Sequence, residues 1–288
     1  MKLAELPFVF RLPLAFQAPL LRYVFKKPLR LRLTDPEIEA NQVLRVLSKL
    51  SGGVSQMKET NSLSWKLAVR NQILQLNCRR YPSSDVGILN QVLANEEYAP
   101  LAEIFQRQEN LRIIDAGANV GLASIFFRLI CPSAQILCLE IDGENARQAK
   151  INFALNDMAD IVLMQNALWK SDAFLELKKD FRDSSECSYY VEEVDEVSNL
   201  MGHDLTYFLN LMNWNQVDLL KIDIEGAERH LFETQKAADC LLERTQHLAL
   251  EIHDEFNIRN NIQEHLTRHG FTYFDHGDVT IASRKKPS

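Results

Sequence analysis

Residues Leu111 to Glu140 constrain the fold more than any other stretch of this 288-residue chain. Leu111-Arg112-Ile113-Ile114 is a short apolar run with the β-branched character of a buried parallel strand. It stops at Asp115-Ala116-Gly117-Ala118-Asn119-Val120-Gly121, where small residues let the backbone turn tightly and approach a ligand. Leu122 to Ile130 has the length and apolarity of a buried helix and ends before Pro132. Ile136-Leu137-Cys138-Leu139 is a second buried strand with Glu140 at its carboxyl end. Strand, turn, helix and strand make one βαβ unit, with Asp115 and Glu140 at the strand tips. Open α/β sheets bind ligands beyond the carboxyl ends of their strands. A carboxylate at the second tip can accept both hydroxyls of a ribose, so the spacing predicts a nucleoside site.

A dinucleotide fold calls for Gly-x-Gly-x-x-Gly, with glycines where the pyrophosphate meets backbone. Here Ala118-Asn119 lies between Gly117 and Gly121, and an acid precedes the first glycine by two residues. Asp115-x-Gly117-Ala118-Asn119-x-Gly121 resembles the first motif of class I S-adenosylmethionine methyltransferases. That resemblance implies that Asp115 and the loop amides hold the methionine end of the cofactor. Glu140 with the following Ile141 would hold its ribose.

The composition is that of a soluble globular chain: 46% hydrophobic, 25% charged, net charge −7. No global basic field points to nucleic acid. Five scattered cysteines, with no Cys-x-x-Cys pair, read as reduced packing thiols in a cytoplasmic setting. The first 33 residues differ from the rest. Lys2, Arg11, Arg22, Lys26, Lys27, Arg30 and Arg32 stand against Glu5 alone, which is +6 here and −13 for the remainder. Pro7, Pro13, Pro19 and Pro28 interrupt every apolar run, so neither a signal peptide nor a spanning helix is expected. Such an arm either rests on an anionic membrane or packs on its own domain or a second subunit, the packing reading being the expected one.

Residues 34–100 read as a mixed lead-in. Asp35 to Leu50 carries a helical apolar stripe, and Trp65-Leu67-Val69 with Leu74-Leu76-Cys78 alternate as a hairpin turning near Asn71. Ser84 or Asp85 can cap a helix over Val86 to Leu93. From residue 101 to 288 the pattern is that of a single α/β domain. A helix over Glu144 to Asn156 leads to a third strand, Ile161 to Gln165. Asn166-Ala167 sits at its tip, placed to accept from an adenine amino group and donate to a ring nitrogen. Trp169 to Val197 gives only a short strand at Phe174-Leu177 and an exposed loop at Asp183-Ser188. Val217 to Ile224 and His247 to His253 are the fourth and fifth strands, with Asn260 to His269 helical after them. Phe271-Phe274 and Val279-Ser283 close the sheet as an antiparallel hairpin.

With these elements assembled, the chain resembles the FkbM family of methyltransferases over roughly residues 75–283. Lys221-Ile222-Asp223-Ile224-Glu225-Gly226-Ala227-Glu228 carries most of that resemblance, supported by Leu250-Glu251-Ile252-His253, by Arg80-x-x-Ser83-Ser84-Asp85 and by Glu97-Tyr98. Ser83 stands where the family more often has Thr, and Ile141 where Pro often follows the acid. The resemblance implies a Rossmann-like class I methyltransferase sheet behind an N-terminal extension. It also implies S-adenosylmethionine as cofactor, and O-methylation of a hydroxyl on a sugar, polyketide or related metabolite. Arg80, Ser84, Asp85 and Glu251 are then candidates for contact with that acceptor.

Methyl transfer from a sulfonium is a direct displacement, so the enzyme mainly aligns the partners. An alcohol also needs a base. Strand alternation puts Lys221, Asp223 and Glu225 on one face, and Glu251 and His253 on one face of the next strand. His253 is the candidate base because an unperturbed histidine titrates near neutrality, with Asp223 orienting or replacing it. Asp223, Glu225, Glu251 and His253 also have the donor set for a divalent ion. Clustered carboxylates beside Lys221 and Arg229 read first as ligand-binding and ion-pairing groups, so no metal is expected. Two other readings use the same residues: a nicotinamide-dependent oxidoreductase, and a non-catalytic cofactor-binding partner protein. A homodimer is compatible with all of them.

Overall fold

The computed structural model describes residues 6–50, 53–106, 108–179 and 189–284. The expected loop at Asp183-Ser188 therefore lies outside the described residues, as do Lys2 and Glu5. The chain packs as two compact units, one reaching to Glu96 and including Ala154–Asp157, the other built from Glu97 onward. No helix among the described residues is long and apolar enough to cross a membrane.

In the first unit, helices Leu14–Lys26 and Asp35–Lys49 pack together. Beside them runs an antiparallel sheet of β1 (Val54–Glu59), β2 (Ser62–Val69) and β3 (Gln72–Arg79). The β2–β3 hairpin turns on Arg70-Asn71, both at positive φ, and pairs Trp65 with Leu76 and Leu67 with Leu74. The alternating apolar residues of both strands are buried, as their period demands. The basic N-terminal stretch and the lead-in share this unit. Glu37 joins them: its buried carboxylate accepts from the Thr34 amide at 2.9 Å and pairs with Lys26 at 2.8 Å and Arg22 at 3.3 Å.

The second unit is a seven-stranded sheet with helices. Its strands are β4 (Arg112–Ala116), β5 (Gln135–Leu139), β6 (Val162–Met164), and, after a smaller sheet, β11 (Val217–Ile222), β12 (Thr245–Glu251), β13 (Phe271–His276) and β14 (Val279–Arg284). The order is β13-β14-β12-β11-β4-β5-β6; β14 runs antiparallel to β12 and β13, and the other pairings are parallel. This is the expected α/β class, with the closing hairpin in place. Ile114, Leu137, Leu220, Ile222, Leu248 and Leu250 carry the core between sheet and helices. The sheet reverses between β4 and β11: β5 and β6 lie outward of β4 on one side, β12, β14 and β13 outward of β11 on the other, and the loops after β4, β5, β11 and β12 gather at that point.

The smaller sheet occupies the stretch after the third strand, where the expected strand at Phe174-Leu177 is found and three more join it. β7 (Ala167–Leu168), β8 (Ala173–Lys179), β9 (Tyr189–Val194) and β10 (Leu200–His203) pair in the order β7-β10-β8-β9. Gly202 permits it: a Cβ there would meet Leu175 at 2.7 Å and the Trp169 side chain at 2.8 Å.

Candidate active site

The loop after β4 is held by its own backbone. The amides of Gly117 and Ala118 both donate to the Leu139 carbonyl, and the Asp223 amide donates to the Ala116 carbonyl. Gly117 sits at φ +78, and a Cβ there would lie 1.7 Å from the Asp223 carbonyl oxygen, so only glycine lets β11's exit pass so close. Gly121, also at positive φ, precedes the helix Leu122–Ile130.

Asp115, which the resemblance sets at the methionine end of the cofactor, is wholly buried. Its Oδ2 accepts from the Ser124 hydroxyl at 2.7 Å, and its Oδ1 lies 3.2 Å from the Lys221 ammonium. Lys221 is almost equally buried. Its Nζ donates to the Gly117 carbonyl at 2.7 Å and lies 3.5 Å from Asp223 Oδ2. Burial works against its charge, and the flanking Asp115 and Asp223 more than offset that, raising its pKa. A charge at this depth survives only when paired. Lys221 thus ties β11 to the glycine loop.

Glu140 is buried at the tip of β5. Its Oε2 accepts from the Asn119 amide at 2.7 Å and its Oε1 from the Asp142 amide at 2.8 Å. Burial pushes its pKa up to about 7 against the pull of those two amides. Each carboxylate oxygen keeps a second acceptor position. Beside it the Asn119 side-chain carbonyl is buried with no hydrogen-bond partner. An orphan acceptor next to a carboxylate with spare acceptor capacity fits a ligand that presents several donors, as a ribose and an amino acid together do. Ile141 packs on the small cluster of Ala167, Trp169, Leu175 and Ala227. Asn166 turns its side-chain NH2 to the Met201 carbonyl at 3.4 Å, and Ala167 pairs with Gly202 in the smaller sheet.

A dense charge cluster forms where β11 and β12 end. Around Lys221 and His253 stand Asp223, Glu225, Glu228 and Glu251. His253 lies two residues past the end of β12 rather than within it, and opens a short turn over Asp254–Phe256. Its Nδ1 is 3.3 Å from Glu228 Oε2, and its Nε2 is 3.8 Å from Glu225 Oε2. Glu228 is fully buried and is fixed by accepting the Ile224 amide on its other oxygen at 3.0 Å. Burial alone would lower the histidine's pKa; the Glu228 carboxylate, aided by Glu251 and Glu225, instead pushes it up to about 9. His253 therefore holds its proton to higher pH than an unperturbed histidine does. Glu251 is raised to about 8 by burial and by the charge of Asp223. Glu225, at φ 54 in the turn, is raised by the same two causes.

Glu228 and Tyr98, which the sequence names only within the resemblance, lie beside this cluster. Glu228 closes the Lys221-to-Glu228 stretch, and its spacing from His253 gives no sign that they meet. Tyr98 is buried on Phe127 and Phe126, with ring centroids 5.3 and 6.4 Å away, and its hydroxyl is raised by burial and by Asp223 and Glu97. Lys221, Asp223, Glu225, Glu251 and His253 are brought together, but through the turns after the strands rather than by strand alternation, because β11 ends at Ile222 and β12 at Glu251. Arg80, Ser84 and Asp85 belong to the first unit. Arg80 there pairs with Glu39 at 2.6 Å and Glu59 at 2.8 Å. Asp85 is buried against Arg79 at 2.7 Å, and Ser84 makes no side-chain cap. Arg80 and Asp85 are thus engaged in ion pairs within that unit. Among the described residues, no group of three or more His, Cys, Asp or Glu side chains has metal-binding geometry.

The family model described as the methyltransferase FkbM domain matches residues 115–278. No match to a curated protein sequence reaches significance. Among solved structures, the chain is similar to a precorrin-6y C5,15-methyltransferase from Geobacter metallireducens, at 15% identity and a TM-score of 0.41, covering 66% of this chain and 87% of that one. It is also similar to magnesium protoporphyrin IX methyltransferase from Synechocystis PCC 6803, at 13% identity and a TM-score of 0.37, covering 66% and 78% respectively.

Proposed function

The chain belongs to the FkbM family of S-adenosylmethionine-dependent methyltransferases, and we propose that it methylates a hydroxyl oxygen of a small metabolite, such as a sugar or polyketide, with His253 as the base. The observation that carries this reading is the His253–Glu228 pair at the carboxyl edge of the sheet. When bound, the cofactor supplies an electrophilic methyl on a sulfonium, whose displacement forms an oxygen–carbon bond and leaves the electron pair on sulfur. A hydroxyl attacks well only as its proton departs, which is the task that a positioned base performs.

Glu140 accepts from the ribose hydroxyls, and the Asn119 carbonyl takes a further donor. Ile141 supplies an apolar wall beside them, and Asn166-Ala167 lies at the adenine end. Gly117, Ala118 and Gly121 shape the loop, while Asp115 and Lys221 hold it in place. Glu228 engages Nδ1 of His253, so Nε2 is the nitrogen left to receive the acceptor's proton. The neighbouring carboxylates make that nitrogen a stronger base and reduce the fraction that is free at neutral pH. Asp223 and Glu251 flank it and can orient the acceptor hydroxyl.

The test is a product assay. Incubation with S-adenosylmethionine and a panel of hydroxylated and amine acceptors, read by mass spectrometry, is expected to give a mass gain of one methyl on hydroxylated compounds only. His253→Ala is expected to keep cofactor affinity and to lower turnover by about 10²–10⁴. Methylation of amines alone overturns O-methylation. Full turnover in His253→Ala overturns the base. Cofactor binding with no turnover on any acceptor favours a non-catalytic role.

A further inference from the structure

The helix Leu14–Lys26 is apolar on both faces, and among the described residues only one face is covered. Phe16, Pro19, Leu20 and Tyr23 are buried within the first unit. Leu14, Ala18, Leu21 and Phe25 recur at steps of four, three and four, which places them on the opposite stripe. Leu14 is 83% exposed, Leu21 67% and Phe25 68%. Phe10 before the helix and Leu29 and Leu31 after it are also large apolar side chains open to solvent. Such a contiguous outward row on a folded unit marks a contact surface.

The charges around the row identify what it contacts. No Asp or Glu occurs from Leu6 to Thr34, whereas Arg11, Arg22, Lys26, Lys27, Arg30 and Arg32 do. Lys26 and Arg22 turn inward to the buried Glu37. Lys27, Arg30 and Arg32 have no carboxylate partner among the described residues, and Arg30 and Arg32 flank the exposed Leu31. We propose that this face is a docking surface for an anionic lipid bilayer, with Leu14, Leu21 and Phe25 entering the interface and the cations meeting headgroups.

Apolar residues rimmed only by cations are what an in-plane interfacial helix presents. Its 13 residues span about 20 Å, too short for a hydrocarbon core of about 30 Å, so it lies on the membrane and does not cross it. A second copy of this chain fits less well. Two-fold pairing sets the same patch on itself, and the cationic rims would then meet with no acid between Leu6 and Thr34 to answer them.

The experiment is vesicle co-sedimentation of the full chain, using phosphatidylcholine with and without phosphatidylglycerol, at low and high salt. Wild type is expected to sediment with the anionic vesicles at least about tenfold more tightly than with neutral ones, since each surface cation contributes roughly a fivefold gain and Lys27, Arg30 and Arg32 act together. High salt weakens that binding. Leu21→Glu with Phe25→Glu abolishes it, and Arg30→Glu with Arg32→Glu reduces it on anionic vesicles. Unchanged circular dichroism and an unchanged unfolding midpoint in both variants show that the first unit remains folded. Equal sedimentation of wild type with and without phosphatidylglycerol overturns the proposal. So does a dimer, seen by analytical ultracentrifugation, that Leu21→Glu with Phe25→Glu dissociates while wild type ignores both kinds of vesicle.

Discussion

Nδ1 of His253 lies 3.3 Å from Oε2 of Glu228, a carboxylate fully buried behind it and anchored by the Ile224 amide. The carboxylate raises the histidine's pKa to about 9, so its free-base form grows as pH rises through that value. The wild-type rate should climb with pH toward about 9 rather than levelling near 7. Glu228→Gln keeps the Ile224 hydrogen bond and removes the charge, so the limb should move toward the ordinary histidine range of about 6.5. A pH–rate profile of both proteins at saturating cofactor checks this. A limb at the same pH in the two would detach Glu228 from the base.

The same shift makes a stability prediction. The folded-state pKa of His253 lies above its unfolded value, so the folded state binds the proton more tightly. That contribution is fully present below about pH 6.5 and is lost as pH rises toward 9. Denaturant midpoints measured from pH 6 to 9 should fall more steeply in wild type than in Glu228→Gln.

Lys221 holds the glycine loop through Gly117 and neutralises Asp115, which has no solvent to turn to. Lys221→Met should destabilise the protein by about 3–5 kcal/mol, the usual cost of stranding one partner of a buried pair. Adding Asp115→Asn should recover part of that loss, because it removes the stranded charge. Thermal unfolding of the single and double variants decides whether the two residues act as one unit. Additive losses would show that they do not.

Gly117→Ala places a methyl where the Asp223 carbonyl already lies. Either β4's loop or β11's exit must move, so cofactor affinity should fall at least tenfold even in molecules that remain folded. Calorimetry alongside circular dichroism separates the two effects. Wild-type affinity in a folded Gly117→Ala protein would remove the loop from the binding site.

Much of this arrangement was legible in the sequence, because alternation and tip residues are local signals. The apolar runs at Ile113-Ile114, Ile136-Leu139, Val217-Ile222 and Leu248-Leu250 give the parallel strands, and a carboxylate at each tip gives the site's edge. The closing hairpin and the Trp65-Cys78 hairpin follow from period-two burial. What pattern did not carry was partnership. Whether Asp115 meets a ligand or Lys221 depends on which strand lies beside β4, and β11 pairs there from about a hundred residues away. Glu228 and His253 meet across two loops, so the rise in the histidine's pKa has no trace in local sequence. Arg80 and Asp85 have the look of ligand-binding residues, yet Glu39, Glu59 and Arg79 engage them. The smaller sheet escaped because β7 and β10 are only two and four residues long and owe their pairing to Gly202. The helix Leu14–Lys26 was hidden by Pro19, which sits in it without ending it.

Glu140 is the residue on which the cofactor assignment rests, and its carboxyl is raised to about 7 by burial. Ribose hydroxyls donate to the carboxylate, so binding favours the ionised form. Affinity for S-adenosylmethionine should therefore rise as pH passes through about 7, by at most tenfold per unit below it. Isothermal calorimetry with wild type and Glu140→Ala at pH 6 and pH 8 measures this directly. The account predicts that wild type binds more tightly at pH 8. It also predicts that Glu140→Ala loses at least tenfold in affinity, from two hydrogen bonds at about 1.5–3 kcal/mol each, together with the pH dependence. A folded Glu140→Ala protein that binds as wild type does at both pH values would contradict it.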